Sequence, residues 1–297
     1  MATTYNKGTA AEDLQILNDT YDAIDKVART DIFEAREVNT LNGLYKGELQ
    51  EGRIFEQLFI SLGVPYDFEK GSTSKVFSAA DAGIASKYFE NWNYEQSSKE
   101  LYNYKVMEMV RNGQTANEIG ARVVASLING DNHKIFTDLK GLLLTAKEDM
   151  TPFADNATPS TLQDLLLAIR DAISDFKFTN DKYHDATAVG DTSTAMEDVR
   201  IVIGSKLLNR INVVELANTL HIERKEIQNM FWEVDTTDNV VYIVDVNAIG
   251  YFTKNTEAYS ERIKPMRKQI FYYDNDKMYY YSNFFKATYL TYTPSEE

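Results

Sequence analysis

Aromatic residues crowd the C-terminal part of this chain and restrict what it can fold into. Ten of the 22 residues at 271–292 are phenylalanine or tyrosine. Such residues favour β-strands, where they pair across neighbouring strands and bury large apolar areas. The pattern therefore predicts two strands that close the fold, joined by a loop at the polar segment 274–277. Few lysines or arginines lie nearby, so these aromatic faces suit packing against strands or subunits better than nucleic-acid binding.

The charge balance also argues against a protein that binds along the backbone of nucleic acid. The 297 residues include 31 Lys or Arg and 45 Asp or Glu, which gives a net charge of −14. The acidic excess is divided evenly between residues 1–150 and 151–297, so neither half is basic. Sequence-independent binding to a phosphate backbone requires such a basic region. An acidic balance suits a protein that lies beside DNA without adhering to it, and equally any other soluble acidic protein.

Motifs for catalysis or cofactor binding are missing from the sequence. It has no cysteine, which excludes disulfides, thiolate metal sites and a cysteine nucleophile. His133, His184 and His221 are too far apart in sequence to form a helical metal pair. Phosphate-loop, dinucleotide and serine-nucleophile motifs are absent as well. We therefore expect no catalytic, cofactor-binding or metal-binding residues, and the protein is not expected to be an enzyme.

Neither a secretory signal nor a membrane span is expected. The N-terminal residues lack an apolar segment of the secretory type. No apolar run approaches the ~18–20 residues that cross a bilayer. The chain is therefore expected to be made and folded in a cytosol-like compartment.

Helical and extended patterns follow one another in the first half of the chain. Residues 11–38 carry an apolar stripe at helical spacing, which predicts an arm that packs on its own domain or lies across a neighbouring subunit. Residues 39–95, rich in glycine and aromatics, predict a long β-hairpin, with 54–62 as a strand or a short helix. A capping box at Thr115 and Glu118 begins a helical region over 115–147, interrupted at 129–132 or divided there into two helices.

The second half of the chain has the pattern of an α/β or α+β unit. A capped amphipathic helix begins at Ser160 or Thr161. The β-branched runs 199–205 and 240–246 predict buried strands, with a helical segment between them that is whole or broken at Asn212. Residues 247–255 predict an aromatic helix or turn, and 253–265 a polar loop.

Three segments together resemble the C-terminal half of tailed-bacteriophage major capsid proteins, which share the Hong Kong ninety-seven-type fold. They are EDVRIVIGSKLLNRINVVELANTLHIERKEI at 197–227, VVYIVDVNAIGYF at 240–252 and FFKATYLTY at 284–292. The Val-Asp turn and the Tyr-rich closing strand are most similar to the phi-twenty-nine-like podophage branch. The earlier segments follow the order of elements in the same family.

The resemblance implies an α+β phage major capsid fold in five parts. These are an N-terminal arm (1–42), an extended loop formed by a β-hairpin (43–98), a peripheral domain with a long spine helix (99–150), an axial α/β domain (151–266) and the closing strands of the peripheral domain (267–297). The polar loop at 253–265 is expected at the centre of the capsomer.

The function that the resemblance implies is that of a major capsid, or head, protein. Its copies would self-assemble as pentamers and hexamers into the icosahedral shell that encloses phage DNA, without specific DNA binding. It would be a virion component that is assembled in the bacterial host cytoplasm. Scaffolding and portal proteins are its expected partners, and no interaction with a membrane is expected. Subunit contacts are expected from apolar residues of the extended loop: Phe55, Leu58, Phe59, Tyr66, Phe68 and Phe77. No Asn and Glu motif matches Lys70 or Lys75 of this loop, so no covalent crosslink is expected.

Two other functions fit part of the sequence. An encapsulin-like nanocompartment shell protein shares the fold and would need a pocket for a cargo peptide. An acidic α/β enzyme or sugar-binding protein would use the Tyr-rich hairpin as a binding platform. A monomer in solution with a ligand-dependent thermal shift would favour that last alternative.

Overall fold

A computed structural model provides the three-dimensional description of the chain. It describes residues 14–23, 25–26, 43–49, 55–60, 84–153, 158–178, 182–185, 193–221, 223, 230–234 and 239–294. Within these ranges no helix is long and apolar enough to cross a membrane. The elements form a four-stranded sheet, a five-stranded sheet, a separate two-stranded hairpin and helices that pack on the two larger sheets.

The first sheet is built around a long antiparallel hairpin. Its strand order is β1-β9-β10-β4; these strands are β1 (Tyr45–Glu48), β9 (Ile249–Ile263), β10 (Lys268–Tyr281) and β4 (Asn93–Tyr102). Both β9 and β4 pair antiparallel with β10, whereas β1 lies parallel to β9. The hairpin turns at residues 264–267, where Arg267 has a φ of 49°.

Two predictions for this region are wrong, and a third holds only in part. Residues 253–263 are not a polar loop but part of β9, where exposed side chains alternate with less exposed ones at the period of a strand. For residues 247–255 the helix alternative is wrong, whereas a turn does occupy 246–248 before β9 begins at Ile249. Residues 274–277 lie inside β10 rather than in a loop, with an irregular register at 274–276. Pairing on both sides of β10 supplies backbone partners there, and this outweighs the low strand propensity of Asp and Asn.

A single long helix connects the two larger sheets. Helix α3 (Ala116–Ala146) has 31 residues and begins with the predicted capping box, in which Thr115 and Glu118 bond to each other's backbone N–H groups. The predicted interruption at 129–132 is wrong, since the helix is continuous there. Asp131 usually disfavours a helix interior because its carboxylate competes for backbone N–H groups. Here Lys277 and Asn275 bind that carboxylate instead.

The second sheet contains the predicted buried strands. Its strand order is β5-β11-β8-β6-β7; these strands are β5 (Thr151–Pro152), β11 (Ala287–Thr291), β8 (Val240–Asp245), β6 (Val199–Gly204) and β7 (Phe231–Val234). Three helices belong to the same half: α4 (Leu162–Lys177), α5 (Ser205–Leu208) and α6 (Val213–Leu220). The predicted start of α4 is confirmed, with Thr161 as its N-cap, and the helical region after β6 is indeed broken, with Asn212 as the N-cap of α6.

Apolar packing joins the halves through α3. Its first half packs against β10 around Val123, Leu127 and Phe271. Its second half packs on one face of the second sheet, where Leu139 and Val244 are in the same buried cluster. The other face of the second sheet is covered by helices, with α4 contributing several fully buried side chains. Helix α3 therefore contributes buried side chains to two hydrophobic cores.

The N-terminal segment and the hairpin after it pack on the first sheet. Residues 14–23 form a helix, α1, whose Leu17 and Tyr21 are buried beside α3 and β10. The described part of the arm thus packs on its own subunit, as one of the two predictions had it. Helix α2 (Asn103–Arg111) follows β4. The predicted hairpin is confirmed for strands β2 (Phe55–Ile60) and β3 (Ile84–Phe89), which pair antiparallel.

Candidate subunit interface

The base of the β2–β3 hairpin is anchored to the first sheet by aromatic rings. The Phe55 ring centroid lies 4.5 Å from that of Phe252, 5.3 Å from Tyr280 and 5.8 Å from Phe89. Ring pairs at such distances contribute beyond the area they bury. Burial raises the pKa of the Tyr280 hydroxyl above its usual range, so the ring remains neutral in this cluster.

Two polar contacts hold the inner face of the same hairpin. The Gln57 side-chain amide donates to the Asn247 carbonyl oxygen at 3.1 Å, and the Lys87 ammonium donates to the Asn283 side-chain oxygen at 3.1 Å. Alternate residues of a strand point to opposite faces. Phe55 and Gln57 therefore face the sheet, and their neighbours along β2 face away from it.

The outer face of the hairpin carries two large exposed side chains, one aliphatic and one aromatic. Leu58 is 56% exposed and Tyr88 is 63% exposed. They lie on the same face, because Leu58 pairs with Ser86 and Glu56 pairs with Tyr88 in the antiparallel register. The Tyr88 hydroxyl donates to the Glu56 carboxylate at 3.0 Å, which orients the ring along the strand. We call Leu58, Tyr88 and Glu56 the outer hairpin face.

The predicted interface residues have four different outcomes. Leu58 is exposed as an interface residue must be, whereas Phe55 is partly buried against its own chain. Phe59 pairs with Ala85 through the backbone, and its side chain lies outside the description. Tyr66, Phe68 and Phe77 lie outside the described residues. Sequence reasoning missed Tyr88, although the alternation in IASKYF places it opposite the outward residues of β2.

A second exposed surface lies beside the turn of the β9–β10 hairpin. A groove of about 830 Å³ there is lined by Tyr102, Tyr104, Met107, Met266 and the cations Arg111 and Arg267, together with Asn103. Its aromatic and basic character differs from the acidic balance of the whole chain. Sequence reasoning missed this groove as well, and the only local signal was the basic run at 262–268.

Among the described residues no group of three or more His, Cys, Asp or Glu side chains is placed to hold a metal ion. The described surfaces provide contact area instead. Exposed apolar side chains lie on a hairpin that is anchored at its base.

Comparison with protein families decides between the functions considered above. A family model described as Phi29-like phage major capsid protein matches residues 3–291. The chain belongs to this family. It is a major capsid protein, a structural component of the virion that forms the icosahedral phage head, and not an enzyme. Among curated proteins, none matches the chain.

Solved structures support the fold of this capsid protein. A chain in the capsid structure of Staphylococcus phage Andhra is 12% identical, with a TM-score of 0.60 over 86% of this chain and 84% of the other. A chain in the structure of the head fiber and inner core protein of native bacteriophage P68 is 14% identical, with a TM-score of 0.55 over 86% and 85%. A chain of the satellite phage P4 procapsid is 10% identical, with a TM-score of 0.51 over 88% and 100%. At these identities the similarity shows a shared fold.

Proposed function

We propose that the capsid protein contacts a neighbouring subunit of its pentamer or hexamer through the outer hairpin face and the loop that continues from it. The observation that carries this proposal is the contrast between the two faces of one hairpin. The inner face is anchored by Phe55 and Gln57, while Leu58 and Tyr88 are exposed on the outer face. A two-stranded hairpin is marginal by itself, so a second covering surface would stabilise it.

The proposed parts of the subunit follow the two sheets. The arm (1–42) and extended loop (43–98) would lie at the edge, and α3 would be the spine of a peripheral domain (99–150) completed by the closing strands (267–297). The axial domain (151–266) would be centred on the second sheet. Strand β9 pairs with β10 along its length, which favours grouping it with the peripheral domain instead. The separate apolar core under α4 supports an axial unit that packs as one body.

Scaffolding and portal proteins are the proposed partners of shell assembly, and DNA is the enclosed cargo without specific binding. The net charge of −14 supports the enclosure of DNA without specific binding, since a shell of acidic subunits would limit adhesion to packaged DNA.

The outer hairpin face can be tested with one substitution and a matched control. Leu58→Asp adds a charge at a solvent-exposed position, so we expect a folded subunit that assembles no closed shells, because an interface core rejects an unpaired carboxylate. Leu58→Met keeps the apolar volume and should assemble normally. Sedimentation and negative-stain microscopy after co-expression with the scaffolding protein measure both, with circular dichroism to verify folding. Intact shells from folded Leu58→Asp protein would overturn the assignment.

Phe55→Asp serves a different purpose from the Leu58 substitution. Phe55 packs against Phe252 and Tyr280 of its own chain, so its replacement should detach the base of the hairpin. A shell defect in that variant alone would therefore report on hairpin anchoring and not on the contact between subunits.

A further inference from the structure

Two side chains tie the base of the β2–β3 hairpin to one turn of the backbone. This turn, at 246–248, joins β8 to β9. The Lys46 ammonium, on β1, donates to the Val246 carbonyl oxygen at 2.8 Å. The Gln57 side-chain amide, on β2, donates to the next carbonyl oxygen, that of Asn247, at 3.1 Å. We call these two hydrogen bonds the turn latch.

The turn is fixed from the side of the second sheet by the Asp245 carboxylate. One of its oxygens accepts from the Asn247 backbone N–H at 2.8 Å, and the other accepts from the Thr194 hydroxyl at 2.8 Å. Asp245 is only 5% exposed, so water competes little for these bonds. The turn latch therefore connects the hairpin to an element that belongs to the second sheet.

A glycine allows the Lys46 side chain to reach the turn. A Cβ atom at Gly250 would lie 2.8 Å from Lys46 Cε and 2.7 Å from the Leu44 carbonyl oxygen. Both distances are too short for non-bonded atoms, so β1 and the lysine stem approach β9 this closely only because Gly250 has no side chain. The stem lies along β9, and its ammonium ends at the turn.

Both members of the turn latch have unfavourable surroundings. Burial lowers the pKa of the Lys46 ammonium from its ordinary value of 10.5 to about 8. The charged groups that face this ammonium are Asp245, and Asp198 and Arg200 beside the start of β6. Gln57 Oε1 is buried and has no hydrogen-bond partner in the described part of the chain. The latch therefore opens more readily than a contact whose polar groups are all satisfied.

We propose that Lys46 and Gln57 are positioning residues that set the direction in which the hairpin leaves the subunit, and that protonation of Lys46 loosens their hold. This inference rests on the proposed function, since the outer hairpin face is the surface that the latch orients. With the latch closed, the hairpin is fixed relative to both large sheets. With the latch open, the ring contacts of Phe55 still attach it to the first sheet, on which it pivots.

The direction of the pH dependence follows from the two surroundings of Lys46. Its ammonium has a pKa of 10.5 in water and about 8 in the closed latch. The open latch therefore binds the proton more tightly, and opening becomes more favourable as the pH falls from 10.5 toward 8. Below about pH 8 the effect levels off. Between pH 9 and pH 7 the opening equilibrium should rise by up to about tenfold.

Hydrogen exchange of the wild-type, unassembled subunit tests this dependence. The Leu49 backbone N–H donates to the Thr253 carbonyl oxygen, so it exchanges only when β1 separates from β9. We expect the protection of β1, corrected for the intrinsic exchange rate at each pH, to be up to about tenfold higher at pH 9 than at pH 7. Protection that is equal at the two pH values, or higher at pH 7, would overturn the proposal.

Two substitutions of Lys46 separate its charge from its other contacts. Lys46→Arg keeps a cation at both pH values, so β1 should remain less protected at both. Lys46→Met has no charge, and its protection should not change with pH. Lys99→Met removes an exposed lysine of β4 and should retain the wild-type dependence. A dependence that persists in Lys46→Met would belong to another group, such as Asp245, and would contradict the role given to Lys46.

The direction of the hairpin can be measured with spin labels, because the chain has no cysteine of its own. Labels at Ser86→Cys, on β3, and Lys206→Cys, on α5, are both at exposed positions. Adding Gln57→Ala should broaden the distribution of distances between them, whereas Gln96→Ala, at an exposed position of β4, should not. Equal widths for the two variants would overturn the role of Gln57.

Failure of the latch and failure of the proposed interface give different results. The exchange and distance measurements use the unassembled subunit, so a negative result there would remove the latch and leave the Leu58 contact standing. Intact shells from Leu58→Asp would remove that contact and leave the latch standing.

Discussion

The two large sheets of this capsid protein are stabilised in different ways. Beneath α4, the second sheet buries a continuous apolar cluster that includes Ile169, Ile201 and Val241. Where α3 crosses the first sheet, the interior holds, beside the apolar cluster around Phe271, Lys277 paired with two carboxylates. This triad consists of Lys277, Glu95 and Asp131. Apolar cores tolerate exchange of one hydrophobic residue for another of similar volume. A buried charge tolerates no shift of its partners, because a slip of one residue along β10 would leave it unpaired.

The difference indicates that the two sheets contribute to the fold in different ways. Apolar burial is not directional, so the cluster beneath α4 needs less exact alignment than the triad. The buried Lys286 ammonium bonds there to the end of α4, at the Phe176 carbonyl oxygen. The triad, in contrast, specifies which turn of α3 faces which residue of β10. In a subunit whose spine helix touches both sheets, we infer that the triad sets the register of that helix.

The largest expected effect comes from breaking the triad. Lys277→Met leaves two buried carboxylates without their cation, and the free energy of unfolding should fall by about 3–5 kcal/mol. Urea unfolding of the unassembled subunit measures the loss.

A neutral triple variant provides the control for that experiment. Replacing Lys277 by Met together with Glu95→Gln and Asp131→Asn removes every charge of the triad, and should recover much of the lost stability. In the apolar cluster, Ile169→Val should cost only about 1 kcal/mol. A Lys277→Met loss no larger than that of Ile169→Val would contradict the contrast between the two sheets.

Alkaline pH should weaken the first sheet next. Burial raises the pKa of the hydroxyls of Tyr279, Tyr280 and Tyr281, all on β10, above their usual range. In the unfolded chain these groups ionise near pH 10. As the pH rises above about 10, the unfolded chain releases protons that the folded chain retains, so the free energy of unfolding falls. Below that pH this contribution is fully present.

Phenylalanine variants identify the source of that loss. Tyr280→Phe removes one buried hydroxyl and should move the midpoint of alkaline unfolding to higher pH, followed by tyrosinate absorbance and tryptophan fluorescence. Tyr88→Phe, at an exposed position, should leave the midpoint unchanged. Equal midpoints for all three proteins would show that the tyrosines of β10 do not drive the transition.

The smallest expected effect concerns the first turn of α3. Thr115→Ala removes the hydroxyl that accepts the Glu118 backbone N–H, and the free energy of unfolding should fall by about 1 kcal/mol. Thr115→Ser keeps a capping hydroxyl and should lose far less. Urea denaturation of the two variants tests the cap, and equal losses would show that the hydroxyl contributes nothing.

Much of the fold could be predicted from local signals, whereas the candidate interface could be predicted only in part. The caps at Thr115 and Thr161 and the buried strands β6 and β8 are confirmed, because each signal lies within a few residues of the element it marks. On the hairpin, Leu58 is exposed, as its predicted interface role requires, but Phe55 faces inward because Phe252 and Tyr280 provide a pocket. Those rings are about 200 residues away in sequence, so the residues next to Phe55 give no indication of them.

The sequence by itself determined the elements whose stability is local: capped helices, β-branched strands and an aromatic closing region. Only the tertiary structure decided that 253–263 and 274–277 are strand and that α3 continues through Asp131. Polar residues in these segments disfavour regular structure while they are solvated. They accept it once distant residues supply partners, as Glu95 and Lys277 do here. The free energy that decides between loop and strand, or between a break and a helix, therefore comes from desolvated pairing across the fold.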